Sequence, residues 1–153
     1  MKRFACLLIA VLLLLPSTAC TIETRQDKVL NSLGRYESKQ LWTHGEFQDY
    51  TDFGLYSYSS AKLNDNQYFK LVSETDIELL YAFVDNFEQW IETFRSNDPD
   101  DELVANYAFD RSLIDTEDYF YIYEGENYSK FGCYDMWIFD AQTYTLYYFH
   151  HNI

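Results

Sequence analysis

Glycine is scarce in this chain, with five among 153 residues. Loops that cradle phosphate are built from glycine, and no Walker, dinucleotide-binding or Gly-x-Ser-x-Gly pattern occurs. Cysteine is scarcer still: Cys6, Cys20 and Cys133. No two of them have the close spacing of a zinc-ligand pair, and His44 is remote in sequence from His150 and His151, so neither a metal nor any cofactor is expected. Basic residues number 11 against 25 acidic ones, a net charge of −14. Nucleic-acid phosphates and anionic lipid heads attract basic surfaces, so this balance argues against both as electrostatic partners. No apolar run approaches the roughly 20 residues that a helix needs to cross a bilayer. The longest, Phe4 to Leu15, has twelve.

That run does have a recognisable setting. Lys2 and Arg3 precede it, Pro16 breaks it, and the small residues Ser17, Thr18 and Ala19 lead to Cys20. A basic start, an apolar middle and a small-residue junction are the parts of a secretory signal. Ser17-Thr18-Ala19-Cys20 resembles the lipobox of bacterial lipoproteins, with Ala19 at the small position and Ser17 where that family most often has Leu. The resemblance covers residues 1–20 only. It implies a signal peptide over 1–19, cleavage before Cys20, a lipid on the Cys20 thiol, and an outward-facing protein held at the bacterial cell membrane through that lipid. Ser17 and Ala19 equally suit an ordinary signal peptidase, which would give a secreted protein. In that case Cys20 and Cys133 are free to bridge. Cleavage before Cys20 leaves 134 residues with 9 basic and 25 acidic side chains, a net charge near −16. That length suffices for one domain with its own core.

Residues 20–45 are mostly polar and read as a lipid-anchored N-terminus and tether, with one weak helical stripe at Val29, Leu30 and Leu33. The domain itself is expected over 46–153. Its clearest element is a helix over about 75–96. Thr75 and Glu78 have capping-box spacing, and Ile77, Leu80, Tyr81, Val84, Phe87, Ile91 and Phe94 recur at three and four residues. So broad an apolar stripe calls for a sheet beneath it. YFKLVS before the helix and LVANYAFD, DYFYIYEG, YDMWIFD and TLYYFHH after it are dense in β-branched and aromatic residues and read as strands. The expected class is α+β, a long amphipathic helix on an antiparallel sheet of four to six strands. The order, helix before meander, resembles cystatin-like rolls in sequence of elements alone, from which no function follows.

Aromatic residues are the compositional anomaly: 15 Tyr, 12 Phe and 3 Trp. Strand alternation, with a three-residue turn at Ala141–Thr143, puts Tyr121, Tyr123, Trp137, Phe139, Tyr147 and Phe149 on one sheet face, away from the helix. Left open, that face is a binding surface for an envelope protein or a glycan; alternatively, residues 21–60 fold over it. The same register sets Cys133 opposite His151 and Tyr134 opposite His150. A Cys beside a His is the one constellation with catalytic potential, an activated thiolate of a hydrolase, although no third group or oxyanion motif accompanies it. The acidic groups Asp98, Asp100, Asp101, Glu102 and Asp115, Glu117, Asp118 fail the calcium-loop pattern, whose closing Glu position, counted from Asp98, is Phe109. The function expected is that of an envelope-anchored binding module without enzymatic activity.

Overall fold

Thr24 and Asp27 satisfy each other's backbone: Asp27 N–H donates to Thr24 Oγ1 at 3.1 Å, and Asp27 Oδ2 accepts from Thr24 N–H at 3.0 Å. This capping box starts helix α1 (Arg25–Leu33), and Gly34, at a φ of +107°, ends it. A computed structural model describes residues 23–46, 49–125 and 131–152. The signal-like stretch with Cys20 lies outside the described residues. Helix α1 is followed by strands β1 (Ser38–Glu46), β2 (Asp49–Ser57) and β3 (Lys70–Leu71), the long helix α2 (Glu74–Asn97), the short helix α3 (Glu102–Asn106), a 3-10 turn at Arg111–Leu113, and strands β4 (Tyr119–Glu124), β5 (Cys133–Asp140) and β6 (Thr145–Asn152). The class is α+β. All strand pairs are antiparallel, and the six-stranded order is β1-β2-β6-β5-β4-β3. Among the described residues no helix is long and apolar enough to cross a membrane.

The sheet carries a core on each face. On one, Leu80, Phe83, Val84, Phe87 and Ile91 of α2 pack against Phe53, Phe120, Met136, Ile138 and Phe149. On the other, Val29, Leu30 and Leu33 of α1 join Tyr56, Trp137, Phe139, Leu146 and Tyr148, with Tyr58 and Phe69 from the connection between β2 and β3 closing the layer. This double burial is what the aromatic-rich composition supplies: strands apolar on both sides need cover on both sides.

Four expectations change. The tether proposed for 20–45 is, from Thr24 onward, part of the domain: Val29 and Leu33 are fully buried, and all nine residues of β1 pair with β2. The N-terminus of the long helix is set two residues earlier than Thr75–Glu78. Asp76 Oδ2 accepts from Ser73 N–H at 3.0 Å, and Lys70 Nζ reaches Asp76 Oδ1 at 2.9 Å. Asp76 is the stronger choice because its short side chain reaches back three residues while also meeting Lys70, and the hydrogen bonds from the Ser73 hydroxyl, from Lys70 and from the Ser73 amide hold its carboxyl below the usual range. LVANYAFD is not a strand. Asp101 Oδ1 accepts from Leu103 N–H at 2.9 Å and Val104 N–H at 3.2 Å and turns its start into α3, with Leu103 buried against α2.

The fourth change has the widest effect. The β5–β6 connection is a four-residue loop, Ala141 to Tyr144, with Asp140 opposite Thr145. Asp140 Oδ1 accepts from Gln142 N–H at 2.8 Å and Thr143 N–H at 3.0 Å, and Tyr144 takes a left-handed φ of 55°. One residue more in the loop turns every side chain of β6 to the opposite face from that expected. Tyr147 and Phe149 therefore lie on the α2 side, away from Tyr121, Tyr123, Trp137 and Phe139.

Candidate functional site

The six aromatic residues do not form an open surface. Trp137, Phe139 and Phe149 are fully buried. Tyr121 stacks on Trp137 at 5.2 Å between ring centres, and Tyr68 covers Tyr121 at 5.3 Å. Phe149 packs among Phe53, Phe87 and Phe109. The cover expected from residues 21–60 is in part what is found, as α1, Tyr56 and Tyr58, extended by the later residues up to Phe69.

The shift in β6 also rearranges the histidines. Tyr134 pairs with His151, Asp135 with His150, and Cys133 with Asn152. Cys133 and His151 thus lie on opposite faces. His150 shares the Cys133 face two pairs further along, but its Nδ1 bonds Asp135 Oδ1 at 2.7 Å, while His151 Nδ1 bonds Thr51 Oγ1 at 2.9 Å. Neither imidazole hydrogen-bonds the thiol. Burial and the Asp135 charge push the Cys133 thiol up from its ordinary value, the reverse of an activated thiolate.

The register instead assembles a polar row that the sequence reading missed. On the α1 side, one residue from each of five strands falls in line: Thr43, Asp52, His150, Asp135 and Tyr123, from β1, β2, β6, β5 and β4. Thr43 Oγ1 donates to Asp52 Oδ1 at 2.6 Å. Asp135 Oδ1 accepts from both Tyr148 OH, at 2.8 Å, and His150 Nδ1. Above the row, the Tyr50 ring lies 4.4 Å from the His150 ring, and the Arg25 guanidinium sits 3.1 Å over the Tyr123 ring centre and 3.6 Å from Asp135 Oδ2. Asp52 is 7% exposed and His150 8%. Burial raises the Asp52 carboxyl above its ordinary range, against the pull of Thr43 and His150.

His150 is the row's incomplete member. In the neutral form of the ring, a proton on Nδ1 toward the carboxylate leaves Nε2 as an acceptor. Nε2 is buried and has no hydrogen-bond partner among the described residues. Buried polar atoms without a partner are uncommon and call for an explanation. The signal in the sequence was the presence of Asp52, Asp135 and His150 inside otherwise apolar strands. Only the pairing register shows that the three meet.

Other polar groups are absorbed by the fold. His44 bonds Asp101 Oδ2 at 2.9 Å and stacks on Phe94 at 3.7 Å, tying β1 to the start of α3. Asp98 and Asp115 accept from nearby backbone amides, and Asp118 takes Asp115 N–H and Ala141 N–H at 3.1 Å each. Among the described residues no three His, Cys, Asp or Glu side chains are grouped to hold a metal ion. The open groove along α2 is acidic, yet Asp85 is paired with Arg111, Glu92 with Arg95, and Glu88 accepts from Tyr107 OH at 3.3 Å. Against known proteins the result is negative: no family model, curated protein or solved structure matches the chain.

Proposed function

We propose that this protein is an outward-facing lipoprotein of the bacterial envelope, held by a lipid on Cys20, and that its domain is a non-enzymatic binding module whose recognition site is the row Thr43–Asp52–His150–Asp135–Tyr123. The observation that carries the site is the buried, unpartnered His150 Nε2, flanked across the sheet by two carboxylates. A hydrogen-bond donor from a ligand would complete it. A hydrolytic role draws no support from the same residues, because the dyad Asp135–His150 holds no nucleophile and burial pushes the Cys133 thiol up from its ordinary value. The acidic surface and the short apolar leader support export and solubility outside the cell.

Two measurements test this reading. Intact mass of the protein from the membrane fraction of its own cells is expected to show a chain beginning at Cys20 with added lipid mass. A chain that retains residues 1–19 would overturn the anchor. For the site, the imidazole nitrogens of His150 are followed by NMR while neutral and cationic donors (urea, N-methylacetamide, methylammonium, methylguanidinium) are added at tens of millimolar. At least one is expected to move the Nε2 resonance. If none does, while Tyr-ring and amide signals report an intact fold, the row is not a recognition site.

A further inference from the structure

We infer that the row recognises a guanidinium-type cation, and that Arg25 is a built-in competitor occupying the same place. This rests on the reading of the row as a recognition site. Arg25 is the first residue of α1, and its guanidinium lies flat over Tyr123 at 3.1 Å with Asp135 Oδ2 at 3.6 Å. An aromatic face beside a carboxylate is the usual setting for a planar cation, which stacks on the ring and aligns its N–H groups with the acid. Asp52, on the far side of His150 in the same row, supplies a second carboxylate, and His150 Nε2, which Arg25 in its place does not meet, is without a partner among the described residues. The two carboxylates favour positive charge, and together with a neutral imidazole they favour N–H donors. Burial is graded in the sense exchange requires: the Arg25 side chain is 42% exposed while that of Asp135 is 14% exposed. The cover leaves more easily than the floor.

The contacts Arg25 makes set the scale. A half-exposed ion pair and a stacked cation each contribute modestly. Removing the resident guanidinium is therefore expected to tighten binding of an external one by about tenfold, ~1.4 kcal/mol. Recognition of an arginine side chain on a partner would then release the start of α1, five residues after Cys20.

The test uses the full chain as purified from its cells, with acetyl-arginine amide as probe and acetyl-citrulline amide, its neutral isostere, as control. Arg25→Gln is expected to bind the arginine probe about tenfold more tightly than the unsubstituted protein and to show the larger shift at His150 Nε2. The citrulline probe should do neither. Asp135→Asn should lose the binding, and Asp52→Asn tests the same charge if the first variant does not fold. Equal or weaker binding by Arg25→Gln overturns the proposal. Equal binding of citrulline and arginine overturns the cation class and leaves the row as a recognition site. Silence of every donor at Nε2 removes both.

Discussion

Alanine at Trp137 is expected to cost about 3–5 kcal/mol, the range for deleting a large buried ring. Trp137 is fully buried and sits between Tyr121 and Tyr148, 5.2 Å from each ring centre. Each such pair adds about 0.5–1.5 kcal/mol beyond its area, so the loss belongs near the upper end. Domains of this size are stable by about 5–15 kcal/mol, so the substitution threatens folding outright. Phe is the informative second variant. Among the described residues Trp137 Nε1 is buried without a hydrogen-bond partner, and Trp137→Phe removes that donor together with part of the ring. It is expected to retain well over half of the stability that alanine loses. Urea unfolding at constant slope measures both. A cost below about 1 kcal/mol for alanine would mean that α1 and the residues up to Phe69 do not seal that face.

The second large effect is a pair of opposing pH dependences. His151 is 2% exposed, packed on Trp90 with ring centres 4.7 Å apart, and burial lowers its pKa to about 4, with His150 adding to the shift. The unfolded chain, near 6.5, then binds more protons than the native one between pH 6.5 and 4, so stability falls as pH drops through that window. Asp118 is 1% exposed, and burial raises it to about 6 against the hydrogen bonds from Asp115 and Ala141. Here the native state binds the extra proton between pH 6 and 3.8, so stability rises as pH drops. Each contribution is about 3 kcal/mol over its window, and the two largely cancel. Single variants separate them. Relative to the parent, His151→Gln is expected to gain stability steadily from pH 6.5 to 4, and Asp118→Asn to lose it over nearly the same span. Denaturant midpoints at four or five pH values suffice. Curves parallel to the parent's for both variants would remove these two groups as its acid-sensing pair.

The sequence was most readable where one period dominates. Ile77 to Ile91 repeat at three and four residues, and the helix is there, displaced only at its start because two capping pairs, Ser73–Asp76 and Thr75–Glu78, compete over the same turn. Strands β4, β5 and β6 were legible from their aromatic density, as was the α+β class. The failures have physical reasons. Helix α1 buries a single stripe, and β1 is an edge strand with polar residues along it, so their composition resembled a tether although Val29 and Leu33 have no solvent exposure. Side-chain facing on β6 depended on one loop residue. Asp140 accepting two amides favours the longer loop, and nothing in the alternation alone distinguishes three residues from four. The polar row was hidden for the same reason, since Asp52 and Asp135 are 83 positions apart and meet only through His150.

The place of β6 between β2 and β5 has one more consequence. Strand β6 is the keystone of the arch: without it the β1–β2 hairpin has no further neighbour in the sheet, and β3, β4 and β5 stop short of it. Assembly must therefore wait for β6 and then bridge its separation of nearly a hundred residues from β2, a slow closure by the rule that distant pairings fold late. A sheet built this way stays open at its centre until that one pairing is made, so its two halves reach the native state together rather than in turn.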